Sequence, residues 1–157
     1  MMTHSHIVVM LCCLAGPVAA QDEATNPYAL YYAEVVRVID GDTLDVRLDL
    51  WPGLQAVYAV RVRGIDAPEL RRVGCEAERI WAQDAKAQVE KLYDVGSRIR
   101  LENVAFDAYA GRVDAKVSRW RSDRWLYLSD ELIGRGLAVE WTPDMDDVPW
   151  CLLARSR

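Results

Sequence analysis

Three short stretches hold the residues with the most chemistry to offer. The first, residues 38–44 (VIDGDTL), places Asp40 and Asp42 either side of Gly41. The second, residues 61–69 (RVRGIDAPE), carries Arg61, Arg63, Asp66 and Glu69. The third, residues 109–112 (YAGR), pairs Tyr109 with Arg112. Carboxylate oxygens suit a hard cation. Planar guanidinium groups suit the oxygens of a phosphate. Each residue also has an ordinary reading. Asp40 and Asp42 are common turn residues, Asp66 and Glu69 flank a proline in a loop, and Arg112 fits a hairpin surface. Arg61 and Arg63 share one strand face, and periodicity does not separate them. The first stretch is no EF-hand, because Asp45 stands where its glycine belongs and Trp51 where its glutamate belongs.

The N-terminus narrows the chemistry further. Residues 1–20 contain no Lys, Arg, Asp or Glu, and residues 7–15 (IVVMLCCLA) form an apolar run too short to span a bilayer. Gly16 and Pro17 break the run, and Val18, Ala19 and Ala20 supply the small residues that a signal peptidase reads. A secretory signal cleaved before Gln21 is expected, with the product periplasmic or extracellular and not stably bound to a membrane. Cleavage removes Cys12, Cys13 and both histidines, His4 and His6. A chain without histidine has no Ser-His-Asp or Cys-His mechanism and no histidine zinc site. Any metal is then held by oxygen, which points to a hard cation. Cys75 and Cys151 remain. They either close one long loop, worth roughly 4 kcal/mol in the chain-entropy model, or stay as two separate thiols. A bridge here is expected to fasten the tail near the start of the long helix. Its reduction is then expected to lower stability and leave catalysis intact in the cold.

Composition fits one globular domain, with 52% hydrophobic and 27% charged residues in 157. The net charge of −5 argues against a protein that coats nucleic acid by blanket phosphate neutralisation. It leaves room for a local arginine pocket beside a cation.

The elements that must position these residues follow from periodicity. Residues 21–31 read as a flexible leader. Alternating segments at 32–39, 43–50 and 56–62 read as strands, with Leu44, Val46, Leu48 and Leu50 on one face. The Asp40–Gly41 step suits a hairpin, and Pro68 takes residues 64–69 out of helix and strand. Residues 76–92 read as a long helix, with Trp81, Ala85, Val89 and Leu92 on its apolar side and Gly96 past its end. Strands are expected at 98–104, 113–118 and 125–128. A short helix is expected at 130–135, capped by Ser129 and ended by Gly136. The tail from Thr142 reads as irregular. The plan is α+β and mainly β, a small antiparallel barrel with helices packed on it.

In order and spacing the three stretches resemble the staphylococcal-nuclease (thermonuclease-like) family. Its marks are an I-D-G-D-T turn, an R-(x)4-D-(T/A)-P-E segment and a later Y-G-R. The resemblance runs from about residue 32 to about residue 141, within an expected domain of 32–157. It implies a five-stranded OB-type barrel with one long and one short helix, acting as a calcium-dependent nuclease on DNA or RNA; with the expected signal the product is a secreted nuclease, and a monomer is expected. The products would carry 3′-phosphates and 5′-hydroxyls. Asp42 and Asp66 would each give a carboxylate to one calcium ion, with the Ala67 carbonyl as a third protein ligand. Glu69 would orient or deprotonate the attacking water, and Arg61 and Arg112 would fork onto the scissile phosphate. Asp40 and Thr43 would support the metal turn, and Tyr109 would contact a substrate phosphate. The chain departs from the pattern where Ala110 separates Tyr109 from Gly111, where Ala108 replaces a lysine, and where the terminal helix is missing. Trp141 is a candidate for an aromatic expected soon after the last helix. The rival readings are a non-catalytic nucleic-acid-binding OB module and a secreted interaction domain stapled by its cysteines.

Overall fold

The computed structural model describes residues 30–107 and 111–154. β1 (Leu30–Val38), β2 (Thr43–Trp51) and β3 (Leu54–Val62) form an antiparallel meander. After α1 (Glu76–Leu92), β5 (Arg98–Phe106) pairs with the far edge of β1, and β6 (Arg112–Arg121) pairs with β5. The sheet then closes, because β6 also pairs with β3. That last pairing is parallel, with Arg61 opposite Asp114 and Val62 opposite Ala115. The result is a closed five-stranded barrel that is antiparallel except at its seam. β7 (Arg124–Tyr127) extends the sheet from β6 through a hairpin whose central residues, Ser122 and Asp123, take φ of 50° and 61°. Two left-handed residues in a row are what a two-residue hairpin matched to strand twist requires.

Alternation fills the barrel. Val35, Leu44, Val46, Val60, Val62, Ile99, Leu101, Ala115 and Val117 are buried inside it. Leu50, expected on the same face, has emerged past the barrel rim and is 47% exposed. α1 lies where its periodicity predicts, burying Trp81, Ala82, Ala85 and Val89. Its first turn carries Glu76 and Glu78, which complement the positive end of the helix. Glu78 reaches back to accept a hydrogen bond from the Gly74 N–H at 2.8 Å.

Several boundaries differ from expectation. β1 begins two residues before the expected strand. Ile65–Asp66 is not irregular but forms β4, paired with β8 (Val139–Glu140). The proline restricts Ala67 and Pro68, so the backbone of Ile65 is free to pair. α2 (Leu128–Ile133) starts before Ser129, with Tyr127 at its N-cap and no side-chain cap. The Ser129 hydroxyl turns to the Asp130 carboxylate instead. The tail also holds a single turn of helix, α3 (Trp150–Leu153), so among the described residues one long helix is joined by two short ones. The Cys75–Cys151 disulfide is present, spanning 76 residues and fixing α3 beside the start of α1.

Candidate functional site

Asp42 anchors the site. The turn between β1 and β2 is held by Ile39 and Asp40 N–H groups donating to the Thr43 carbonyl. Gly41 is not there for a left-handed turn, since its φ is not positive. A Cβ on it would lie 2.7 Å from the Ala67 Cβ and 2.9 Å from the Ala85 Cβ. The turn thus packs directly on the β4 loop and on α1, and this pushes Asp42 into the protein, where it is 4% exposed. Its carboxylate accepts from the Thr43 hydroxyl at 2.8 Å and from the Ala67 N–H at 3.1 Å. Asp40 accepts from the Asp42 N–H at 3.2 Å. Burial pushes the Asp42 carboxyl up to about 7 and Asp40 adds to the rise, while Arg61, Thr43 and Ala67 oppose it.

The structure separates the two arginines that periodicity could not. Arg61 bridges two acids, with Nη1 at 3.2 Å from Asp42 and Nη2 at 2.9 Å from Asp66. Its guanidinium also lies 5.4 Å from the centroid of the Trp141 ring. Burial works against its charge, but Asp42 and Asp66 outweigh that and raise its pKa. Arg63 is committed elsewhere, to Asp114 on β6, with Nε at 3.0 Å from both carboxylate oxygens.

Glu69 lies at the exposed edge of this cluster. Partial burial, then the charges of Asp40 and Asp66, raise its carboxyl above the usual range, against Arg61 and Arg72. Arg112 stands at the start of β6 opposite Ala59, on the same sheet face as Arg61 and two residues back along the seam. Asp107 holds it at 2.8 and 3.1 Å. Tyr109 lies outside the described residues, as does the whole of the expected signal. Ala67 is beside Asp42 as expected, though the contact it makes there is through its N–H.

Two partners escaped sequence reasoning. Trp150 donates its indole N–H to Asp66 at 2.8 Å, across 84 residues. Asp107, whose side chain is 9% exposed, sets the direction of Arg112. No spacing rule links a tail tryptophan to a barrel loop. The one usable signal was Cys151 next to Trp150.

The donor set of Asp40, Asp42, Asp66 and Glu69 is all oxygen and suits a hard cation. It is not collected as a tight cage. Among the described residues, the one group of three candidate ligand atoms within 4.8 Å of one another is Cys75, Glu78 and Cys151, whose sulfurs form the disulfide. Arg61 lies between Asp42 and Asp66 and offsets part of their charge there.

No protein-family model matches this chain, and no curated protein matches it.

Proposed function

We propose that this chain is a secreted, calcium-dependent nuclease of the thermonuclease type, built on an OB-type barrel and cutting phosphodiester bonds of DNA or RNA. The observation that carries the reading is the Arg61 fork across Asp42 and Asp66, with Arg63 withdrawn to Asp114. That arrangement puts two carboxylates and one guanidinium at a single point beside the raised Glu69 carboxyl. The closed barrel and its parallel seam support the OB reading.

The chain's own groups divide the work. Asp42 and Asp66, with the Ala67 carbonyl, would hold the cation. Bound calcium would supply positive charge to polarise a phosphate oxygen. Glu69, its carboxyl raised by burial and by Asp40 and Asp66, would orient or deprotonate the attacking water. The Arg61 fork fits two phosphate oxygens as it fits two carboxylates, and it stabilises the charge that grows on them. Arg112 approaches the same face from β6. Trp141 stacks beside the Arg61 guanidinium and limits its rotation. Export follows from the expected signal, and no described helix is long and apolar enough to cross a membrane.

The test is direct. The chain from Gln21 onward is incubated with plasmid and with single-stranded DNA, in calcium, magnesium or chelator, and the new ends are analysed. Cleavage in calcium, little in magnesium and none in chelator is expected, with 3′-phosphate ends. Equal cutting in calcium and chelator overturns the metal assignment, and no cutting in any condition overturns the nuclease.

A further inference from the structure

Asp66 is held from two directions. Arg61 occupies one carboxylate oxygen, and the Trp150 indole N–H occupies the other at 2.8 Å. Arg61 belongs to the barrel wall, on β3. Trp150 is different. It belongs to a helix of four residues, too short to persist without tertiary support. Its support is visible. The indole is 4% exposed and packs edge-on against Trp81 of α1, with ring centroids 4.9 Å apart. Trp81 is fixed in turn by its own N–H to the Gly136 carbonyl at 2.9 Å. The neighbour of Trp150 in sequence, Cys151, is bonded to Cys75 at the head of α1.

The chain from bridge to carboxylate is therefore short. Cys75 fixes Cys151, Cys151 places Trp150, and Trp150 orients Asp66. We propose that Trp150 is a positioning residue for Asp66, and that the Cys75–Cys151 bridge holds it in that role, so that reducing the bridge weakens the cation site. The inference rests on the reading of Asp66 as a calcium ligand. It revises the expectation that reduction spares the chemistry in the cold: the tail is not only a fastening for the barrel, because it touches the site.

A hydrogen-bond donor behind a ligating carboxylate fixes which oxygen faces the metal and in what direction. Loss of such partners typically costs about 10- to 100-fold in metal affinity. Trp150→Phe keeps the ring against Trp81 and removes only the donor. Calcium affinity, measured by titration calorimetry well below the melting temperature, is expected to fall by about that factor. Reduction of the wild-type chain is expected to weaken calcium binding to a similar extent. Reduction of Trp150→Phe is expected to add little further loss. An unchanged affinity in Trp150→Phe overturns the proposal. So does reduction that weakens the variant as much as the wild type, because the bridge would then act by another route.

A second readout needs no metal. The chain has six tryptophans, and the nitrogen-15 indole resonance lost in Trp150→Phe identifies this one. It is expected to shift in Asp66→Asn and to exchange faster with solvent after reduction. A resonance unmoved by both changes overturns the hydrogen bond. A wild-type chain that binds no calcium overturns the calcium assignment and the ligand role of Asp66. The indole resonance still decides separately whether the bridge controls the Trp150 contact.

Discussion

At Arg119 on β6, a guanidinium meets one carboxylate, Glu131 of α2, through two hydrogen bonds of 3.0 and 2.6 Å. The buried Tyr93 hydroxyl donates to the same carboxylate at 3.3 Å. Burial alone would raise the Glu131 carboxyl, but the Arg119 bonds and charge win and hold it below the usual range. At Arg61 on β3, a guanidinium of the same kind faces Asp42 and Asp66, with Asp40 and Glu69 close enough to be felt. There the balance reverses, and both Asp42 and Glu69 are raised. One cluster has charges that cancel and fastens a helix to the barrel. The other has more carboxylates than its arginine can answer. An excess of negative charge kept partly out of water costs stability. It is the condition expected where a bound cation is to complete the balance.

Substitution can break this contrast at either end. The largest effect is expected from Glu69→Gln, which keeps the shape and removes the charge proposed to take the proton, lowering kcat by ~100- to ~10,000-fold. Single-turnover cleavage of a labelled oligonucleotide in saturating calcium measures it, and a rate within a few-fold of wild type would reduce Glu69 to a loop residue. Arg61→Lys replaces the fork by a point charge and is expected to lower kcat by ~100-fold or more, with the circular dichroism spectrum unchanged. Glu131→Gln should do the opposite, leaving cleavage alone while costing about 1–3 kcal/mol of stability in a denaturant titration. Arg63→Lys, far milder, should keep kcat within a few-fold, since its partner is Asp114. If Arg63 instead proved essential, the site would have to be moved two residues along β3.

Acidity sharpens the contrast without any substitution. The folded pKa of Asp42, about 7, lies above its unfolded value near ~3.9. Its proton therefore favours the metal-free fold fully below about pH 4, and that contribution disappears as pH rises through 7. Glu131, held below its unfolded value, contributes above about pH 4.3 and loses that contribution as pH falls through its folded pKa. Melts in chelator between pH 5 and 8 should show a decline toward pH 8 that Asp42→Asn abolishes. A decline of the same size in Asp42→Asn would assign it to another group.

Much of this was legible beforehand because it is periodic or local. The limits of α1 follow from helical spacing, with Gly96 past its end, and the barrel strands follow from two-residue alternation. Thr43 and Asp40 contact Asp42 from one or two residues away. What stayed hidden was long-range or steric. Gly41 looks like a turn residue, yet it is needed because Ala67 and Ala85 close on it. β4 was obscured by its proline, and α2 slid past Ser129 because Leu128 is needed in the core. Arg61 and Arg63 differ in the acids they meet, Asp42 and Asp66 for the first and Asp114 for the second. Trp150 reaches Asp66 from 84 residues away, a distance no local pattern encodes.

The parallel seam also bears on the order in which the molecule assembles. In the chain α1 and β5 separate β3 from β6, and Arg63 meets Asp114 across 51 residues. Contacts of that separation form late, since loop closure opposes them. Arg61 is on one side of that seam and Arg112 is on the other. A half-folded chain thus carries its two arginines apart, and they share a face only once the barrel shuts. Any cleavage activity should therefore appear together with the last step of folding, and an unclosed chain should be harmless to nucleic acid around it.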